Sequence, residues 1–197
     1  MHTVNTRNNL EKGGIIVVSA PSGAGKTTLC QVLLKKTPEI AYSISHTTRK
    51  PRQGEKDGRD YFFTTIEDFK EKIKQNFWIE WAKVHANYYG TSKKHLEEQI
   101  LKGLTVLLEL DINGARQIKK IYPDALTIFI MAPSICALER RLRDRATEAE
   151  DIINMRIDNA KAEIEQKSFF DHIVVNDDMD TACQELCKIV KKKAFEH

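Results

Sequence analysis

The sequence predicts an α/β fold of three layers, in which helices cover both faces of a central parallel sheet. Short apolar runs of strand length alternate with longer stretches of helical periodicity, and this alternation is typical of parallel strands joined by helical crossovers. The predicted strands are residues 15–19, 106–110, 125–131 and 172–175. The predicted helices are residues 26–36, 93–102, 114–121, 135–143, 148–169 and 179–195.

Two stretches interrupt this alternation and divide the single predicted domain, residues 1–197, into a core and two smaller parts. Residues 42–91 concentrate aromatic side chains and short β-like pieces between turn residues, so we interpret them as an inserted lobe of mixed α/β structure. Residues 143–156 include a charged break between two helices, which we interpret as a small lid. The predicted core is residues 14–41, 92–142 and 157–197.

Composition indicates an ordinary globular chain. Apolar residues make up 41% and charged residues 30%, and the net charge of +3 is a small difference between 31 basic and 28 acidic side chains. Because no global field favours nucleic acid or an anionic membrane, we expect neither as a partner. No signal-like or membrane-spanning run precedes the first strand, so we expect a cytoplasmic location. Monomer and homo-oligomer both stay open.

The cysteines show no spacing that indicates a metal site or a disulfide framework. We predict that they are reduced thiols in the core. They are Cys30, Cys136, Cys183 and Cys187.

A phosphate-binding loop follows the first predicted strand. The segment Ala20-Pro21-Ser22-Gly23-Ala24-Gly25-Lys26-Thr27-Thr28 leads from that strand into a helix, which is the context that a P-loop requires. Its small residues let backbone N–H groups approach phosphate oxygens at the helix N-terminus. Lys26 adds a full positive charge, and Thr27 offers a hydroxyl as a ligand for Mg²⁺. We therefore predict that all nine residues bind ATP.

Ala20 departs from the usual P-loop pattern, which has glycine at this position. Pro21 restricts the residue before it to extended conformations with negative φ, where a Cβ is tolerated. We therefore expect that Ala20 does not need the conformational freedom of glycine. The alternative interpretation of the whole loop is a glycine-rich turn with an incidental lysine.

Motifs beyond the loop resemble the guanylate kinase family, in register from the P-loop almost to the C-terminus. The resemblance implies a P-loop nucleoside monophosphate kinase that transfers the γ-phosphoryl group of ATP to GMP, and also to dGMP, with Mg²⁺ as cofactor. The matching segments are Ser45-His46-Thr47-Thr48-Arg49-Lys50-Pro51-Arg52, Gly54-Glu55, Gly58 with Tyr61 and Phe63, Asn87-Tyr88-Tyr89-Gly90-Thr91, Asp111 with Gly114, and Val175-Asn176-Asp177-Asp178.

The resemblance places the GMP site in the inserted lobe. Arg49 and Arg52 can present two guanidinium forks to one phosphate, although alone they would be read as a solvated basic turn. Glu80 matches a carboxylate that accepts hydrogen bonds from guanine, and adenine lacks that pair of donors. The predicted GMP-binding residues are Ser45, Arg49, Arg52, Glu55, Tyr61, Glu80, Tyr89, Thr91, Glu109 and Asp111.

Glu109 and Asp111 alternate at the carboxyl end of a predicted strand, where α/β sheets bind ligands. The family usually has Asp where Glu109 stands, so its role toward water-bound Mg²⁺ or toward the guanine amine stays open. Asp111 matches the family pattern. The predicted metal-binding residues are Thr27 and, through water, Glu109.

The resemblance assigns a group of arginines to the closing of the lid on ATP, although a solvated helix face is the alternative. Asn176 begins a turn that the resemblance places near the adenine of ATP, and an Asx turn explains that residue equally well. The segment Arg143-Asp144-Arg145-Ala146 lacks two glycines that the family often has, which predicts a stiffer lid. The predicted catalytic residues are Lys26, Arg49, Arg143, Arg145 and Arg156.

Two other functions are compatible with parts of this pattern. A non-catalytic guanylate-kinase-like module would use the lobe to bind a protein, but such modules typically lose the P-loop that is intact here. The other is a different P-loop enzyme, either a GTPase or a kinase for another small phosphate. A GTPase should carry an Asn-Lys-x-Asp segment, which the sequence lacks. A different phosphate acceptor would leave Glu80, Ser45 and Thr91 unexplained.

Overall fold

The computed structural model describes residues 13–84, 86–144 and 150–195. Within them, five strands form a central sheet in which every neighbouring pair is parallel. These strands are β1 (Ile15–Ser19), β2 (Ile40–Tyr42), β7 (Thr105–Glu109), β8 (Leu126–Met131) and β9 (His172–Val175). Their order across the sheet is β2-β7-β1-β8-β9.

Helices cover both faces of this sheet, and its central strand β1 is therefore buried on both sides. Ile16 and Val18 of β1 contribute to a core shared with α1 and α7, whereas Ile15 and Val17 contribute to a second core shared with α3 and α4. The three-layer α/β prediction is therefore confirmed. The core helices are α1 (Lys26–Lys36), α3 (Lys93–Leu101), α4 (Ile112–Ile121), α5 (Ile135–Arg143), α6 (Glu150–Glu165) and α7 (Met179–Phe195).

A second sheet of four strands lies between β2 and α3 in the chain. Its strands are β3 (His46–Thr47), β4 (Phe62–Phe63), β5 (Trp78–Val84) and β6 (Asn87–Ser92), in the order β4-β3-β6-β5. Helix α2 (Ile66–Lys74) packs on it through Phe69, whose ring stacks on Trp78 at 4.3 Å between centroids. The concentration of aromatic residues in this part of the sequence thus forms a small core of its own.

Helix α2 was not predicted as an element of its own, and the ends of α3, β7 and β8 differ from the predicted ones by one residue. Three further differences have physical reasons. Strand β2 was not predicted, because three residues are too few to show a periodicity. Helix α4 begins two residues earlier than predicted, since the Asp111 side chain caps it by accepting a hydrogen bond from Gly114 N. The long predicted helix over 148–169 ends at Glu165, and a 3₁₀ turn follows at Lys167–Phe169. The division into core, lobe and lid stays a prediction.

The cysteines are free thiols, but the prediction that all lie in the core is wrong for Cys136. That residue is exposed near the start of α5, whereas the other three are buried. None of the described helices is long and apolar enough to cross a membrane.

Replacing a core leucine should measure how strongly the sheet depends on its helices. Leu33 of α1 is fully buried among residues of β1 and α7. We expect Leu33→Ala to lower the free energy of unfolding by about 3 kcal/mol, because it removes buried apolar surface and leaves a cavity. Urea-induced unfolding followed by circular dichroism checks this. The matched control is Leu101→Ala in α3, where the leucine is 69% exposed and should change stability by less than about 0.5 kcal/mol. Equal losses in both variants would contradict the packing described above.

Candidate functional site

The phosphate-binding loop joins β1 to α1 in a conformation that requires glycine at two positions. Gly23 and Gly25 have φ values of 89° and 90°, in the left-handed region that disfavours other residues. Among the described residues, only Asn76 combines a side chain with a positive φ. Ala20 therefore does not need the freedom of glycine, as expected.

The turn after β9 holds this loop in place through a buried side-chain hydrogen bond. The Asn176 side chain is 2% exposed and donates from Nδ2 to the carbonyl of Ala24 at 2.8 Å. A Cβ on Gly25 would lie 2.4 Å from that same Nδ2, so the amide packs directly against the loop backbone. Arg141 in turn donates to the carbonyl of Asn176 at 2.9 Å. The predicted contact of Asn176 with ATP stays a prediction, and its side chain holds the loop.

The carboxyl end of β7 lies beside the first turn of α1. Lys26 Nζ donates to the carbonyl of Leu110 at 3.1 Å, and Thr27 Oγ1 lies 3.4 Å from Glu109 Oε2. A hydroxyl and a carboxylate are hard oxygen ligands of the kind that Mg²⁺ prefers. The described residues contain no cluster of three or more His, Cys, Asp or Glu side chains that could hold a metal by itself. The pair Thr27 and Glu109 therefore fits a Mg²⁺ that takes its other ligands from water and phosphate.

A cavity of about 350 Å³ connects the loop with the second sheet. It brings together most of the predicted site residues, from the loop, the edge of the central sheet, the lobe and α6. These are Ala20, Pro21, Ser22, Gly23, Gly25, Lys26, Thr27, Thr28, Ser45, Arg49, Arg52, Tyr61, Glu80, Tyr89, Glu109, Asp111 and Arg156.

Arg49 is held at the wall of this cavity by an acidic neighbour. Its guanidinium donates two hydrogen bonds of 2.8 Å to the two carboxylate oxygens of Glu55. Glu55 also accepts from Arg52 N, and the hydrogen bonds from Arg49 hold the pKa of the Glu55 carboxyl below its usual range. The Tyr61 ring lies 5.2 Å from the Arg49 guanidinium carbon. Glu55 does not line the cavity, so its predicted contact with GMP stays a prediction.

Glu80, on β5, lines the cavity at the second sheet and is 4% exposed. Thr91 Oγ1 donates to its carboxylate at 2.6 Å. Burial raises the pKa of Glu80 to about 7, although the hydrogen bond from Thr91 opposes the rise. Ser45, 9% exposed, also lines the cavity. This part of the cavity therefore offers a desolvated acceptor to a ligand that can donate hydrogen bonds.

Helix α6 lines a further side of the cavity with two residues, Arg156 and Glu163. The sequence predicted the first and did not indicate the second. Arg156 donates to Ser22 Oγ in the loop, in agreement with its predicted position. Two turns later, Glu163 lines the same cavity, and burial raises its pKa to about 7 against the opposing charge of Lys26. The spacing of seven residues from Arg156 was the available signal, because it places both side chains on one helix face.

Arg143 is the one described arginine among the predicted catalytic residues that is not brought to the cavity. Arg143 forms ion pairs with Glu139 and Glu150 and does not line the cavity in this structure. Arg145 lies outside the described residues. Their predicted catalytic roles stay predictions.

Comparison with known proteins agrees with this geometry. The family model described as "Guanylate kinase" matches residues 12–193. A guanylate kinase of Carboxydothermus hydrogenoformans is 48% identical over 177 residues, which cover 90% of this chain and 87% of the relative. A guanylate kinase of Synechocystis is 48% identical over 179 residues, which cover 91% of this chain and 94% of the relative.

Among solved structures, the crystal structure of guanylate kinase from Anaplasma phagocytophilum is similar, with a TM-score of 0.77 and 32% identity. The match covers 94% of this chain and 88% of that chain. The family model and the relatives together span nearly the whole sequence. This chain therefore belongs to the guanylate kinase family.

Proposed function

We propose that this chain transfers the γ-phosphoryl group of ATP to GMP, and also to dGMP, giving ADP and a guanosine diphosphate. The observation that carries the proposal is a cavity that is lined both by the phosphate loop and by the buried Glu80. Membership of the guanylate kinase family makes the chain a nucleoside monophosphate kinase.

Glu80 is the residue that we assign to guanine recognition. Its carboxylate is buried and keeps one oxygen beyond the one that accepts from Thr91 Oγ1. Guanine presents N1–H and an exocyclic amine as neighbouring donors, whereas adenine would leave the carboxylate desolvated and unpaired. Sites built around such donors reject an analogue that lacks them by roughly 10⁴-fold.

The GMP phosphate is assigned to Arg49 and Arg52, with the hydroxyls of Tyr61 and Tyr89. All four residues line the same cavity as Glu80 and the loop. Because Glu55 already fixes the Arg49 fork, little side-chain freedom remains to be lost when a phosphate dianion binds. This arrangement positions a phosphate oxygen of GMP toward the loop.

Transfer then needs positioning rather than a catalytic base, because the attacking phosphate oxygen is already anionic. We propose direct in-line transfer without a covalent enzyme intermediate. Lys26 and Arg156 line the loop end of the cavity, where they can neutralise charge on the transferring group. Thr27 and Glu109 would hold Mg²⁺, which when bound neutralises phosphate charge.

A non-catalytic binding module is the second candidate, and the intact loop opposes it. Gly23 and Gly25 adopt the left-handed conformations of the loop, and Lys26 and Thr27 are both present at the cavity. A module that binds only a protein would have no use for these features.

The first test is a coupled assay of ADP production from MgATP with GMP, AMP, CMP or UMP as acceptor. We expect turnover with GMP far above the other three. Lys26→Ala should lower kcat by roughly 10²-fold or more, since it removes a charge placed for the transferring group. The matched control is Lys35→Ala, an exposed lysine of the same helix, which should keep full activity. Binding of GMP without any turnover in the wild-type chain would instead support the non-catalytic module.

A second prediction concerns pH. The carboxylate form of Glu80 is the one that accepts from guanine, and burial raises its pKa to about 7 in the free protein. GMP affinity should therefore be constant above that pKa and fall by about tenfold for each pH unit below it. Isothermal titration with GMP in the absence of ATP, between pH 6 and 8.5, measures this.

Glu80→Gln is the control for the pH experiment, because its amide does not titrate. The variant should bind GMP more weakly at pH 8 and lose the step near pH 7. Glu163 also titrates in this range. A step that survives in Glu80→Gln would thus belong to Glu163 or to the ligand, and it would refute the assignment to Glu80.

A further inference from the structure

Helix α4 of the core contacts the strand that carries Glu80 through one side-chain amide. Gln117 Oε1 accepts from Trp81 N at 3.2 Å, and Gln117 Nε2 donates to Trp81 O at 2.9 Å. Strand β5 is an outer strand of its sheet, so only one of its two edges is paired, with β6. The amide therefore supplies a pair of hydrogen bonds like those of a β-ladder to the other edge of β5 at Trp81.

This pair of hydrogen bonds acts on the residue next to Glu80. The N–H of Trp81 belongs to the peptide group that begins at the Glu80 carbonyl. The strand is irregular here, because its register with β6 shifts between Trp78 and Glu80. A bulge changes the direction of nearby side chains, and the ladder is locally disrupted. The backbone of β5 next to Glu80 is therefore held by β6 on one side and by Gln117 on the other.

The same helix also provides the space that the Glu80 carboxylate occupies. A Cβ on Gly114 would lie 2.7 Å from Glu80 Oε2, which is too close for a normal contact. Gly114 lies one helical turn before Gln117 on α4. Helix α4 thus places a glycine beside the Glu80 carboxylate and a side-chain amide beside the backbone of the next residue, Trp81.

We propose that Gln117 is a positioning residue for guanine recognition, which fixes the backbone of β5 at Trp81 while Gly114 leaves room for the Glu80 carboxylate. This inference rests on the proposed function, since it takes Glu80 as the acceptor of the guanine donors. Gln117 itself does not line the cavity. We therefore expect Gln117 to affect the affinity for GMP, through the contact of Glu80 with the base, and to leave the affinity for ATP unchanged.

The test compares Gln117→Met and Gln117→Glu with the wild-type chain. Methionine has a similar size and loses both hydrogen bonds, whereas a glutamate carboxylate keeps the acceptor but cannot donate to Trp81 O. The KM for GMP should rise by about tenfold in Gln117→Met, the scale of losing two neutral hydrogen bonds, and by about threefold in Gln117→Glu, which loses one. The KM for ATP should stay within about twofold of the wild-type value, because the ATP end of the cavity is unchanged.

A second readout separates positioning from a general loss of structure. Inosine monophosphate has the N1–H of guanine but lacks its exocyclic amine. A displaced Glu80 should lower the ratio of kcat/KM for GMP to that for inosine monophosphate, whereas partial unfolding would lower both values equally. The matched control is Gln184→Met, an exposed glutamine of α7, which should leave the KM values and the ratio unchanged.

Gly114→Ala keeps the inference testable if the Gln117 variants fold poorly. Alanine favours a helix over glycine, so this variant should fold, while its Cβ displaces the Glu80 carboxylate. A similar fall in the GMP ratio supports the inference. Unchanged GMP kinetics in folded Gln117→Met and Gln117→Glu, with an active wild-type chain, would overturn it. An inactive wild-type chain would overturn the proposed function and this inference together.

Discussion

Strands β1 and β7 lie side by side and parallel, and this pairing determines where the charged groups of the site stand. Val18 pairs in register with Glu109, so both strands end at the same edge of the sheet. The chain after β1 becomes the phosphate loop and presents Lys26, while the chain after β7 presents Leu110 and Asp111. The Lys26 ammonium can therefore reach the Leu110 carbonyl across the edge. The Lys26 ammonium is thus held at the edge of the sheet that also carries Glu109 and Asp111.

Charged side chains in the cavity are held by neighbours before any nucleotide arrives. Glu55 holds the Arg49 fork, and Thr91 holds one oxygen of Glu80. Such preorganisation costs folding energy where a carboxylate is desolvated, as the raised pKa of Glu80 indicates. A bound base with two donors would relieve that cost. If Glu80 reads guanine as proposed, selectivity and the cost of desolvating its carboxylate would have the same physical origin.

Fold and loop were predictable from the sequence because their causes are local. A strand buried on both faces, such as β1, must be a continuous apolar run, and a left-handed turn requires glycine at Gly23 and Gly25. Gln117 and Glu163 were not predictable in the same way. Gln117 and Trp81 are hydrogen-bonded but lie 36 positions apart in the sequence. The sequence pattern of a helix does not distinguish a polar residue that faces solvent from one that contacts a strand. The ion pair of Arg143 with Glu139 is a local i,i+4 pair of α5, whereas its ion pair with Glu150 depends on how the fold brings α6 near.

The hydrogen bond from Asn176 to the phosphate loop joins an early and a late segment of the chain, which the ribosome synthesises at very different times. Asn176 and Ala24 are 152 positions apart, and β9, which carries the chain to Asn176, is an outer strand of the central sheet. During synthesis, which proceeds from the N-terminus, the loop sequence emerges long before its supporting amide. A partly synthesised chain would hold the loop residues without the contact that fixes their shape. Nucleotide binding would then mature only after the last strand docks, so that incomplete chains would not capture ATP.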